Sequence, residues 1–139
     1  MDIKEITVEA NTDRLYDVLG FLEEQLEAYG AGMKLVNIMS ISLEEMFANV
    51  CMYAYAEADA PGTCTIKIWK DETNSVNVSL IDNGMYFDPL KKDDPNIHAT
   101  AEERGIGGLG IYMVKGYMDE CTYERINEQN IFTMRKVIS

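Results

Sequence analysis

Residues 76–84 read VNVSLIDNG. Alternation with a period of two puts Val76, Val78, Leu80 and Asp82 on one face of a strand. That face is apolar until its last member, so the strand brings a single carboxylate to the end of a buried surface. An ionised carboxylate only accepts hydrogen bonds, and there it can read a donor such as the exocyclic amine of a purine. Gly84, two residues on, lets a ligand approach the backbone closely. A plain strand-ending turn competes with this reading, because Asp-Asn-Gly is also favourable turn chemistry.

Just upstream, TCTIKIWKD (63–71) reads as a second strand, joined to the first as a hairpin through a turn near Glu72–Asn74. Further back lie a first strand over 3–9, a helix over about 12–29 ending at Gly30, and a longer helix over about 33–58 that stops before Pro61-Gly62. Downstream, residues 84–104 have no clear period and contain Pro89 and Pro95, which marks a long loop of a kind that is usually functional or mobile. A helix over about 108–118 follows, then strands over about 119–127 and 131–138 around a turn at Asn127–Asn130. The order β-α-α-β-β-loop-α-β-β predicts an α/β (α+β) two-layer sandwich, with about five mostly antiparallel strands packed on three helices. No linker or domain boundary interrupts it, so residues 1–139 read as a single domain.

The composition narrows the function. A formal net charge of -12 disfavours direct binding to nucleic acid. It also means that a bound triphosphate must be neutralised locally, by a metal ion and by oriented backbone N–H groups. The three cysteines, Cys51, Cys64 and Cys121, lie far apart without CxxC spacing and read as free thiols of a reducing compartment. The acidic start lacks the apolar run of a secretory signal, and no stretch reads as a membrane span, so the chain is expected to be cytoplasmic.

Two more constellations carry chemistry. On the long helix, SLEEMFANV (42–50), steps of 100° per residue place Ile38, Ile41, Ser42, Met46, Ala48, Met52 and Tyr53 in a mainly apolar arc. Glu45 and Asn49 fall near its middle, one turn apart, and Glu44 points to the polar side. A carboxylate and an amide on a buried face are costly unless paired. Phosphates with a divalent ion are one partner, since Asn49 offers a hard oxygen that suits magnesium and Glu45 could activate a hydroxyl. A structural cap or bridge is the other reading. The third constellation is Gly105-Ile106-Gly107-Gly108-Leu109-Gly110, which opens a helix and offers bare amides to a phosphate, with Arg104 immediately before it. A loop precedes it and no Lys-Ser/Thr follows, so it is neither a dinucleotide-binding motif nor a Walker loop.

Together, Glu45-x-x-x-Asn49, Asp82-x-Gly84 and Gly105-x-Gly107-Gly108-Leu109-Gly110 resemble the N, G1 and G2 boxes of the GHKL, or Bergerat-fold, ATPases, over nearly the whole chain. The run from Asp82 through Glu120 is similar to small anti-sigma-factor serine/threonine kinases of that superfamily. The resemblance implies a Bergerat-type fold and ATP with Mg2+ as ligands. Asn49 would hold the ion, Glu45 would be the general base, and Asp82 and Gly84 would hold the adenine. Residues 85–104 would form the lid. Gly105, Gly107, Gly108, Leu109 and Gly110 would contact the phosphates, with Arg104 as a charge contact. It further implies a kinase that phosphorylates a serine on a STAS-type antagonist, regulates a sigma factor and forms a homodimer. A non-catalytic ATP-binding switch that sequesters a partner stands as the alternative. Met85-Tyr86-Phe87 departs from the expected pattern by placing bulk directly after the G1 glycine.

Overall fold

A computed structural model describes residues 2–91 and 109–138. The chain begins with strand β1 (Lys4–Glu9), a 3-10 turn (Thr12–Arg14) and helix α1 (Leu15–Ala28). Helix α2 (Met33–Asn49) runs without a break into a π-helical turn (Val50–Ala54). Strands β2 (Thr63–Lys70) and β3 (Ser75–Asp82) follow, then a 3-10 turn (Pro89–Lys91), helix α3 (Leu109–Tyr117), and strands β4 (Glu120–Ile126) and β5 (Gln129–Val137). The five strands form one antiparallel sheet in the order β1-β2-β3-β5-β4. The three helices cover one face of it, so the expected two-layer α+β sandwich is what the chain forms.

The alternation in β3 explains the layering. Val76, Val78 and Leu80 enter the core together with Ile66 and Ile68 of β2 and Phe132 and Met134 of β5. Against them pack Val18, Leu22 and Leu26 of α1, a Leu35–Met39–Leu43–Met46–Phe47 stripe of α2, and Ile111 and Val114 of α3. Burial of each such side chain stabilises the fold by about 1.5–3 kcal/mol relative to leaving it exposed. The opposite face of β3 carries Ser75, Asn77 and Ser79, which are also buried because two strands flank this central one. Their polarity is met in place: the Ser79 and Thr133 hydroxyls lie 2.6 Å apart, and Asn77 Nδ2 donates to Asp71 Oδ2 at 2.9 Å.

The turns follow from local chemistry. Asn74 takes a left-handed φ of 58° in the β2–β3 loop. Asn127 and Glu128, at φ 51° and 65°, make a two-residue turn of the type that matches hairpin twist. The β4–β5 turn is therefore shorter than the expected span over 127–130, and Gln129 and Asn130 belong to the strand.

Two expectations about the long helix need correction. Its core stripe is Leu35, Met39, Ser42, Leu43, Met46 and Phe47, whereas Ile41 and Met52 are 41% and 57% exposed. Three large apolar residues, Leu35, Leu43 and Phe47, pull the buried face around, which leaves Glu45 and Asn49 half-buried at its margin. In addition, Met33–Ala54 is 22 residues long and apolar enough to meet the length and composition of a membrane span, contrary to the sequence reading. Here the apolar stripe of that helix is taken up by α1, α3 and the sheet.

Candidate nucleotide site

The carboxyl end of β3 meets the end of α2 at a cleft lined by Met46, Asn49, Val50, Ala54, Asp82, Phe87 and Asn130, among others. Asn49 and Asp82, distant in sequence, thus share one cavity. Asn49 Nδ2 donates to the Glu45 carbonyl at 3.0 Å, one helical turn back. This bond occupies the amide's donor end and leaves its carbonyl oxygen as the end available to a ligand. Beside Asn49, the Glu45 carboxylate lies so close to Gly110 that a Cβ there would overlap Oε2. The first turn of α3 therefore rests directly on the Glu45 side chain, and Gly110 is what permits the approach. Leu109, half-exposed, opens that helix. Arg104, Gly105, Gly107 and Gly108 lie outside the described residues, as does most of the expected lid.

Asp82 is 5% exposed and its Oδ1 accepts two hydrogen bonds at 2.9 Å, from the Gly84 amide and from Asn130 Nδ2. No described residue donates to Oδ2. Burial raises the Asp82 pKa above the ordinary carboxylate value, against the lowering effects of these two bonds and of the Arg125 charge. Among the described residues, the buried carboxylate is thus only partly compensated.

Gly84 also has a task inside the fold. A Cβ at this position would overlap the Ala54 carbonyl, and the next amide, Met85 N, donates to that carbonyl at 2.9 Å. The π-helical turn presents the Ala54 oxygen to the loop, a use of helix widening that recurs at functional sites. The space that a side chain at position 84 would need is therefore filled by the protein's own backbone. The bulky residues after it are likewise accommodated. Phe87 stacks on Tyr53 at 5.4 Å between ring centroids, Tyr86 meets Tyr123 edge-on at 5.9 Å, and the Lys91 ammonium sits 5.7 Å above the Tyr86 ring.

Sequence reading missed Asn130, Arg125 and Tyr123. Asn130 stands opposite Asp82 in the β3–β5 register. Arg125 Nη1 donates to the Gly84 carbonyl at 2.8 Å and to Asn130 Oδ1 at 3.1 Å, and the Tyr123 hydroxyl donates to the same Oδ1 at 2.5 Å. An Asn in the second position of a strand carries no signal by itself; only the register places it at the site.

No significant match was found among curated proteins. Two solved structures share the fold. The RsbU and RsbW domains of Rv1364c from Mycobacterium tuberculosis match with a TM-score of 0.69 at 17% identity, over 99% of this chain and 33% of that one. The histidine kinase domain of the Erythrobacter litoralis EL346 blue-light activated histidine kinase matches with a TM-score of 0.57 at 14% identity, over 89% of this chain and 61% of that one. The chain thus spans a third of the first structure and about three-fifths of the second. At these identities the likeness establishes the fold alone. The sequence model for the histidine kinase-like ATPase domain matches residues 8–136, nearly the whole chain, and with the cleft between α2 and β3 this makes the protein a member of the histidine kinase-like ATPase family.

Proposed function

We propose that the chain is an ATP-dependent serine/threonine protein kinase of the anti-sigma-factor type, which phosphorylates a serine on a STAS-type antagonist and regulates a sigma factor in the cytoplasm. The observation that carries the reading is the pairing of Asn49 with Asp82 in one cleft, with the Asn49 amide pinned at its nitrogen end. Asp82 Oδ2 would accept the adenine amino group. The free oxygen of Asn49 fits magnesium, which favours hard oxygen donors and arrives with phosphates and water. Among the described residues no group of three or more His, Cys, Asp or Glu side chains could cage a metal, so the remaining ligands would come from the nucleotide. Bound there, the ion would offset phosphate charge that a protein this acidic must neutralise locally.

Glu45 supplies the base. Its carboxylate, against the first turn of α3, would accept the proton of the acceptor serine as that oxygen bonds to the γ-phosphorus, while the bond from γ-phosphorus to the β–γ bridging oxygen breaks and ADP leaves. Helix α2 holds Glu45 and Asn49 one turn apart, so their relative position is fixed before substrate arrives. A phosphate added to the antagonist would then be repelled by a protein of net charge -12, which releases it. The likeness to the RsbU and RsbW domain structure supports the subgroup.

The test is transfer of labelled phosphate from Mg-ATP to a STAS-type antagonist, with Glu45→Gln beside the parent. The expected product is acid-stable phosphoserine, lost by about 100-fold or more in the variant while ATP affinity stays within about threefold. Acid-labile phosphate would assign the chain to histidine phosphorylation instead. ATP binding and partner regulation without transfer, unaffected by the variant, would make it a binding switch.

A further inference from the structure

Asn130 makes every hydrogen bond its amide can make. Nδ2 donates to Asp82 Oδ1 at 2.9 Å and to the Met85 carbonyl at 2.8 Å. Oδ1 accepts from the Tyr123 hydroxyl at 2.5 Å, from Arg125 Nη1 at 3.1 Å and from the Phe87 amide at 3.4 Å. The side chain is 5% exposed and cannot turn over, because a flip would set its oxygen against two acceptors and its nitrogen against three donors. Asn130 therefore has no bond left for a ligand. Its effect must pass through Asp82 and through the loop that its other contacts hold.

We infer that Asn130 is a positioning residue that makes the site selective for a 6-amino purine, by saturating Asp82 Oδ1 and leaving Oδ2 as an acceptor that only a donor can satisfy. This rests on the nucleotide reading above and goes beyond it. Arg125 and Tyr123 lock the amide in the orientation that donates to Asp82. Arg125 also holds the Gly84 carbonyl, so the β4–β5 hairpin fixes the loop on which Asp82 ends. Loss of the Asn130 donor removes one of the bonds that lower the Asp82 pKa, so burial moves the group further toward its protonated form. A carboxylic acid presents an O–H as readily as a lone pair, and it can serve a 6-oxo purine as well as a 6-amino one. The other titratable groups facing Asp82 are Arg125 and Tyr123 of β4, Cys64 on the paired strand β2, and Tyr55 beyond the π turn. Burial raises the Cys64, Tyr55 and Tyr123 pKa values above their ordinary ones, so none of these groups titrates near neutral pH.

The experiment compares ATP with ITP, which differs at the purine 6-position, by calorimetry on the whole chain. Asn130→Ala should weaken ATP by about tenfold or more while ITP changes by less than about threefold, which collapses the discrimination. Tyr123→Phe, a smaller change that removes one bond to Asn130 Oδ1, should shift the ratio in the same direction by about threefold. In Asn130→Asp, a proton taken up by the new carboxyl recreates the donor to Asp82 Oδ1. ATP affinity of that variant should therefore tighten as pH falls from about 8 to about 6, with the parent nearly flat. Equal weakening of both nucleotides in all three variants, or an unchanged ratio, overturns the inference and leaves the site reading intact. Absence of ATP binding by the parent overturns the site reading itself, and this inference with it.

Discussion

Asp82→Asn tests the electrostatics of the site through two opposite effects. The substitution keeps the shape and, with its oxygen in the Oδ1 position, keeps both bonds from the Gly84 amide and Asn130 Nδ2. It replaces the Oδ2 acceptor with an NH2 donor. Burial raises the folded pKa of Asp82 above its ordinary value, so its stabilising contribution is complete below the unfolded pKa and is lost as pH rises through the folded one. At neutral pH the ionised side chain is therefore a net cost to the empty protein. The neutral amide should stabilise it by about 1 kcal/mol near pH 7.5, after loss of the Arg125 attraction, and this gain should vanish toward pH 4. ATP affinity should move the other way. Loss of a charged acceptor against the adenine amino group costs about 1.5–3 kcal/mol, or roughly ten- to 150-fold in Kd. Urea denaturation from about pH 4 to about pH 8 without nucleotide, together with ATP calorimetry, reads both. A variant less stable than its parent near pH 7.5, or one that binds ATP within about threefold of it, refutes the assignment of Asp82 as a strained, ligand-awaiting acceptor.

Gly110→Ala puts a methyl onto the Glu45 carboxylate, the far end of a flexible side chain that can turn aside, so the fold should lose less than about 1 kcal/mol in urea denaturation while phosphate transfer, which needs that carboxylate in place, falls by about tenfold or more. Glu128→Gly relieves a left-handed residue of a two-residue turn and should raise stability by about 1 kcal/mol in thermal unfolding, with ATP affinity unchanged because the turn's tip makes no bond to Asp82.

Much of the fold is legible in the chain because its signals are local. Alternation in VNVSLID and TCTIKIWK marks the two strands, Gly30 bounds the first helix and Asn127 marks the last hairpin, whereas the long helix ends at Ala54, short of the expected 58 and of Pro61-Gly62. Less of α2 could be read. A helical wheel finds that Glu45 and Asn49 share a face, but the direction in which the helix buries itself depends on Leu35, Leu43 and Phe47 meeting the sheet, a contact that periodicity alone does not specify. The π turn after Asn49 is another such case, since its value lies in handing the Ala54 carbonyl to Met85, about thirty residues later in the chain.

By itself the sequence determined the layers, the strand that ends in Asp82, and the residue types able to meet a purine and a metal-bound phosphate, because hydrophobic period and turn chemistry act over a few neighbours. Tertiary structure alone decided that Asn130, 48 positions away, would stand opposite Asp82 and donate to its Oδ1. It also decided that Gly84 would make room for Ala54, and Gly110 for Glu45. Those outcomes depend on strand register and on close packing between segments remote in the chain, and no local propensity encodes either.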